Sequence, residues 1–151
     1  MKDATEKLPA LGSLDGQSWR LALLAEAQVE LGDWRSAETT CAEAFDLIKQ
    51  INEGWCQAEL HRVAATAILA KPGGDLSAAE ELLQKAIQLA QVQGAKWWEL
   101  RATTGLARLL AKQGKRDGAR AMLAEIHRWF NEGFDTPDLK DTKTLLDELG
   151  A

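Results

Sequence analysis

The sequence predicts an all-α protein, and three observations carry that prediction. Apolar residues recur at helical intervals along nearly the whole chain. Almost no stretch alternates with the period of two that a half-buried strand needs, and β-branched residues are sparse. Glycine and proline breaks then cut the helical pattern into segments of ordinary helix length.

In chain order, residues 1–16 hold Pro9, Gly12 and Gly16 with no sustained period, and are expected to form a flexible tail. A helical domain over 17–151 follows. The first helix, over 19–31, puts Leu21, Leu24, Ala25 and Gln28 on one stripe, and Gly32-Asp33 stops it. The second, over 34–50, aligns Ala37, Cys41, Ala44 and Leu47, and breaks at 51–54. The third, over 55–70, ends at Lys71-Pro72-Gly73-Gly74. There proline removes a donor and disfavours helix at Lys71, and glycine accepts the left-handed cap. The fourth, over 76–93, is capped by Asp75 or Ser77 and stopped by Gly94. The fifth and sixth cover 96–113 and 116–131. Thr136-Pro137-Asp138 starts a seventh, over 138–149: a hydroxyl cap, a proline whose missing N–H costs nothing at the first position, and an acid near the positive helix end.

Composition excludes several function classes. A hydrophobic content of 46% with 27% charged residues is that of a globular protein, and 151 residues suffice for one sizeable core. A net charge of −5 without a basic stripe argues against nucleic acid as a partner. No apolar run approaches the roughly 18 residues of a membrane span, and no secretory leader is visible, so no membrane partner and a cytoplasmic location are expected. The two cysteines make no disulfide framework. Charge is nonetheless uneven: residues 24–60 are mostly acidic where they are charged, and residues 96–120 mostly basic.

The helices repeat in pairs. Gly32, Gly74 and Gly114 are followed, five residues on, by Ala37, Ala79 and Ala119, and seven further by Ala44, Ala86 and Ile126. Leu24-Ala25 and Leu106-Ala107 precede the outer two glycines at the same distance. The Pro-Gly insertion shifts the middle pair to about Val63–Ala65. Small residues at fixed places let antiparallel helices approach closely, and repetition of such a unit builds a solenoid. Repeats are expected over about 17–53, 54–94 and 95–132, with residues 137–149 as a capping helix on the last.

This pattern resembles the tetratricopeptide repeat (TPR). Gly32-Asp33, Ala37 and Ala44 correspond to the turn and small positions of its second helix, and Leu24-Ala25 to the close-packing pair of its first. The unit here is longer than the roughly 34 residues of that repeat. From about residue 17 the chain is also similar to the C-terminal TPR-type region of bacterial signalling proteins that carry a class III nucleotide cyclase and a predicted AAA/STAND-type ATPase. Glu59-Leu60-His61-Arg62, Glu99-Leu100-Arg101-Ala102 and Glu132-Gly133-Phe134-Asp135-Thr136-Pro137 carry that resemblance. It implies a right-handed α-solenoid of three helix pairs that acts as a non-catalytic interaction module. There is no GxxxxGK[ST] loop, so no ATP site is expected, nor any other cofactor.

In such modules the first helix of each pair faces a binding groove. Trp19, Leu23, Glu26 and Glu30 occupy that face in the first pair, Glu59, Arg62 and Thr66 in the second, and Arg101, Thr104, Arg108 and Lys112 in the third. Arg62, Arg101, Arg108 and Lys112 read either as a clamp for an acidic peptide or protein partner, or as a set whose arginines pair with Glu59 and Glu99 and merely hold the stack. Trp19 and Leu23 on an uncapped first helix, with Trp97 and Trp98, are the candidates for self-association into a homo-oligomer. Trp129, Phe130 and Phe134 are expected to pack under the last helix. Cys41, Cys56, His61 and His127 fit no metal-ligand spacing, and no catalytic grouping stands out, so neither a metal site nor an enzyme is expected.

Overall fold

The computed structural model describes residues 2–52 and 54–150, with side chains from Gly16 onward. The expected tail over 1–16 falls almost entirely on residues whose side chains lie outside the described ones. Seven α-helices and no strand occur among the described residues: α1 Lys2–Glu30, α2 Trp34–Ile51, α3 Gln57–Ala70, α4 Leu76–Gln93, α5 Lys96–Lys112, α6 Arg116–Trp129 and α7 Pro137–Gly150. The protein is all-α.

The breaks work by the chemistry their residues suggest, with two corrections. Asp33 caps α2 by accepting from Ser36 N at 3.1 Å, and Asp75, not Ser77, caps α4 by accepting from Ser77 N and Ala78 N. The turns at Gly32, Gly94 and Gly114 share one pattern. The residue after each glycine donates to a carbonyl five residues back: Asp33 to Gln28, Ala95 to Ala90, Lys115 to Leu110. In the middle turn, however, Gly73 and not Gly74 has the left-handed conformation (φ 68°). Gly74 is required for another reason: a Cβ there would lie 1.9 Å from the Ile68 carbonyl oxygen. At the start of α7, the Thr136 hydroxyl donates back to the Gly133 carbonyl instead of capping the helix.

Consecutive helices pack against each other, and short connections make them antiparallel. α1, α3, α5 and α7 also pack on one another in sequence, whereas the backbones of α2, α4 and α6 stand farther apart among the described residues. The odd helices therefore form one continuous layer, and each even helix packs against its two neighbours in that layer. Ala25, Ala37, Ala44, Ala65, Ala79, Ala86, Ala107 and Ala119 are all fully buried, which is what close approach of the pairs demands. Three apolar clusters run through the molecule, and the last combines Leu100, Leu123 and Ile126 with Leu139, Leu145 and Leu149 of α7.

Leu24 departs from expectation. It is 48% exposed, while its counterpart Leu106 is buried at 2%. Leu106 sits in the cluster that α3 and α4 supply, with Ala65, Ala79 and Leu83. Leu24 has no such pair before it among the described residues. The buried stripe of α1 is instead Ser18, Ala22 and Ala25. No described helix is long and apolar enough to cross a membrane.

Candidate functional site

The layer of odd helices carries a groove of about 480 Å³. Helical spacing builds it. Residues three, seven and eleven positions apart share a face, so Arg101, Thr104, Arg108 and Lys112 line it from α5, and Arg62 and Thr66 from α3. α1 contributes Glu26 and Glu30. Leu69, Leu76 and Leu109 give it an apolar surface, and Asp138 and Asp141 of α7 close one side. Of the residues expected on the groove face, Trp19, Leu23 and Glu59 are absent from the lining: Trp19 packs with Trp55 and Trp98, Leu23 is exposed, and Glu59 is buried. Glu59 lies behind the wall, 1% exposed, as the anchor of the arginines.

Those arginines are already engaged. Arg62 meets Glu59 through two bonds, Nη2 to Oε1 at 2.7 Å and Nε to Oε2 at 3.0 Å, and reaches Glu26 Oε1 at 2.6 Å. Arg101 bonds the same Glu26 oxygen at 2.6 Å, bonds Glu59, and lies 3.5 Å from Asp138 Oδ1. One cluster thus ties α1, α3, α5 and α7 together. Burial pushes the Glu26 carboxyl up, but the charges and hydrogen bonds of Arg62 and Arg101 outweigh it and hold the carboxyl below its usual range. Burial likewise opposes the charge on Arg62, and Glu59 and Glu26 more than restore it, so its pKa stands above the ordinary arginine value.

The pairing expected of Glu59, Arg62, Glu99 and Arg101 holds for three of the four. Glu99 faces away, held by Lys96 Nζ at 2.9 Å and Gln91 Nε2 at 3.1 Å. Two positions apart on a helix are about 200° apart, so Glu99 and Arg101 cannot share a face. Nearer the solvent, Arg108 pairs with Asp141, both about half exposed. Lys112 and Glu30 also line the groove and have no ion-pair partner among the described residues. Both threonine hydroxyls are spent locally, on the Arg62 and Leu100 carbonyls, and Thr104 also meets Thr142 at 3.0 Å.

The chain matches no known family model and no curated protein.

The residues considered for self-association are not one patch. Trp19 and Trp98 form a triangle with Trp55, with ring centroids 5.8 to 6.0 Å apart, so each of the first three odd helices or its leading turn supplies one ring. Trp97 turns instead toward α7, where its Nε1 donates to Asp138 Oδ2 at 2.7 Å. Leu23 is 45% exposed beside Leu24. Cys41, Cys56, His61 and His127 do not converge. Burial, with Glu38 nearby, pushes the Cys41 thiol up to about 11. Cys56 bonds Ser18 inside the core at 3.3 Å. His61 lies against Phe45 and His127 against Phe134. Among the described residues no group of three or more His, Cys, Asp or Glu is placed to hold a metal.

Sequence reasoning missed Asp138 and Asp141, because nothing in a linear pattern says that α7 folds back over the groove side. Leu69 and Leu76 were missed because their exposure cannot be read from spacing alone, and Leu109 because it is a core residue, 2% exposed, that borders the groove.

Proposed function

We propose that this protein is a TPR-like, right-handed helical solenoid that works as a non-catalytic interaction module in the cytoplasm, with a peptide segment of a partner bound in the groove. The observation that carries the reading is the groove itself: a charged concavity with an apolar surface, built from the continuous layer of odd helices. Such a layer presents a fixed surface, which lowers the ordering cost of binding. The saturated Arg62 and Arg101 hold the wall. Lys112, together with Arg108 once it leaves Asp141, supplies the cations for an acidic residue of the ligand. Leu69, Leu76 and Leu109 take an apolar side chain. The resemblance to bacterial cyclase- and ATPase-linked repeat regions supports a regulatory role in signalling.

The test is selection of binders from a random peptide library on the wild-type protein, followed by titration on Arg108→Glu/Lys112→Glu. Both side chains are exposed, so circular dichroism should be unchanged. Selected acidic peptides that bind at least tenfold more weakly to the variant carry the reading. Binders indifferent to the variant, or no binders at all, would overturn it.

A second reading is favoured by Leu23 and Leu24, exposed where the equivalent surface of α5 is covered by α4. Stacking of a further repeat or a second copy on that flank would make the module an assembly element. Sedimentation of wild type against Leu24→Glu decides it: the reading requires a concentration-dependent mass that the variant abolishes.

A further inference from the structure

Where α6 turns into α7 there is a second concavity, of about 580 Å³, separate from the groove. It is lined by Trp97, Trp129, Phe130, Asn131, Glu132 and Gly133. Local geometry sets its aromatic rings edge to face, so that they meet as a corner. α6 stops at Trp129, and Phe130 is extended (φ −82°, ψ 132°), and the two consecutive rings stand edge to face. The rings of Trp97 and Phe130 lie at 83° with centroids 5.4 Å apart, and those of Trp129 and Phe130 at 79° and 5.1 Å.

The walls are held in place. Trp97 is anchored by its bond to Asp138. Phe130 packs against the last apolar cluster. Gly133 (φ 78°) turns the chain, and both the amide and the hydroxyl of Thr136 bond its carbonyl oxygen. Trp129, by contrast, is 58% exposed, and Phe130 rather than Trp129 packs on the core.

Electrostatics names a ligand. Indole and phenyl faces carry partial negative charge and attract cations. The lining adds the Glu132 carboxylate and contains no cationic side chain. Trp129 already draws one cation: Lys96 Nζ lies 5.9 Å from its ring centroid, within the neighbouring crevice that also contains Glu99. A primary ammonium or a guanidinium carries three or more N–H donors and gains most where several acceptors are placed for them. A fully methylated nitrogen donates no hydrogen bond and spreads its charge over methyl groups, which suits aromatic walls with one carboxylate.

We propose that this concavity binds a quaternary ammonium group, with Trp97, Trp129 and Phe130 as its walls and Glu132 as its counter-charge. The site is independent of the groove, so its failure would leave the interaction reading untouched.

The chain has six tryptophans, whose indole N–H signals can be followed in a ¹H–¹⁵N spectrum. Tetramethylammonium chloride, titrated against a sodium chloride control, should move the signals of Trp97 and Trp129 in a saturable way and leave the other four in place. Choline should bind at least fivefold more tightly than 3,3-dimethylbutanol, its neutral isostere. Trp129→Ala and Glu132→Gln should each weaken binding about tenfold with helicity retained. Glu132 is exposed, so its variant stays informative if loss of the indole disturbs the turn. A comparison of choline with an N-acetylated trimethyllysine amide then separates a free ligand from a modified lysine on a partner. No shift beyond the salt control, equal movement of all six signals, or equal affinity for the neutral isostere would each overturn the proposal.

Discussion

His61 and Arg62 are neighbours in α3, and both side chains are withdrawn from solvent, yet their surroundings are opposite. Arg62 meets two carboxylates through three hydrogen bonds and belongs to a cluster that crosses four helices. His61 is 6% exposed, lies against the Phe45 ring at 4.8 Å, and neither ring nitrogen has a hydrogen-bond partner among the described residues. The difference teaches what burial demands of each group. An arginine cannot shed its charge, so it must be buried with its counter-ions. An imidazole can enter the core without one, because at neutral pH it simply loses its proton. The first arrangement is robust to pH and fragile to mutation. The second is the reverse.

The largest expected effect comes from breaking the cluster at its most buried member. Glu59→Gln keeps the shape and removes the charge that Arg62 and Arg101 share. Two buried guanidiniums would then depend on Glu26 and the more exposed Asp138, and loss of one partner of a buried pair costs about 3–5 kcal/mol. Urea denaturation should show the midpoint falling sharply with its slope unchanged. A cost under about 1 kcal/mol would mean that the cluster contributes no more than a surface pair.

His61 gives the next largest effect, and only in acid. Burial, with Lys85 adding to it, lowers its pKa from 6.5 to about 4. The unfolded chain therefore takes up a proton below about pH 6.5 that the folded chain refuses until near pH 4, so stability falls as pH drops through that window. The loss is of the order of 3 kcal/mol at most. Glu26 acts lower. Its folded pKa lies below the ordinary 4.5, so its contribution is intact above about pH 4.5 and is lost as pH falls through the folded value. The two windows separate the groups. His61→Leu should be neutral or stabilising at pH 7 and should flatten the decline between pH 6.5 and 4.5. If the decline persists in that variant, another group causes it.

The same contrast explains what could be read in the sequence. Positions fixed by local periodicity were legible: the seven helices, the buried alanines at repeating intervals, and the shared groove face of Arg62, Arg101, Arg108 and Lys112. Positions decided by what lies opposite were not. Leu24 and Leu106 occupy equivalent places, and one is exposed because no described helix pair covers it. The partners of Arg101 and Arg108 include Asp138 and Asp141, which stand more than thirty residues away on a helix whose path no spacing reveals. Trp129, Phe130 and Phe134 were expected under α7; Phe130 packs on the cluster that α7 completes, while Trp129 at the last position of α6 and Phe134 in the turn beyond it are exposed.

The smallest effect belongs to the outermost ion pair of the groove and tests whether exposure alone sets the scale. Arg108 and Asp141 are in contact, but their side chains are 47% and 50% exposed, against 12% and 2% for Arg62 and Glu59. Water and salt screen such a pair, and its contribution is about 0–1 kcal/mol. Asp141→Asn should therefore leave the urea midpoint nearly unchanged, while Glu59→Gln moves it far. The substitution has a second consequence. It releases the Arg108 guanidinium from its internal carboxylate without moving the wall, so an acidic peptide selected on the wild-type protein should bind Asp141→Asn a few-fold more tightly. Unchanged affinity would mean that Arg108 is not a ligand contact, and the cationic side of the groove would then rest on Lys112 alone.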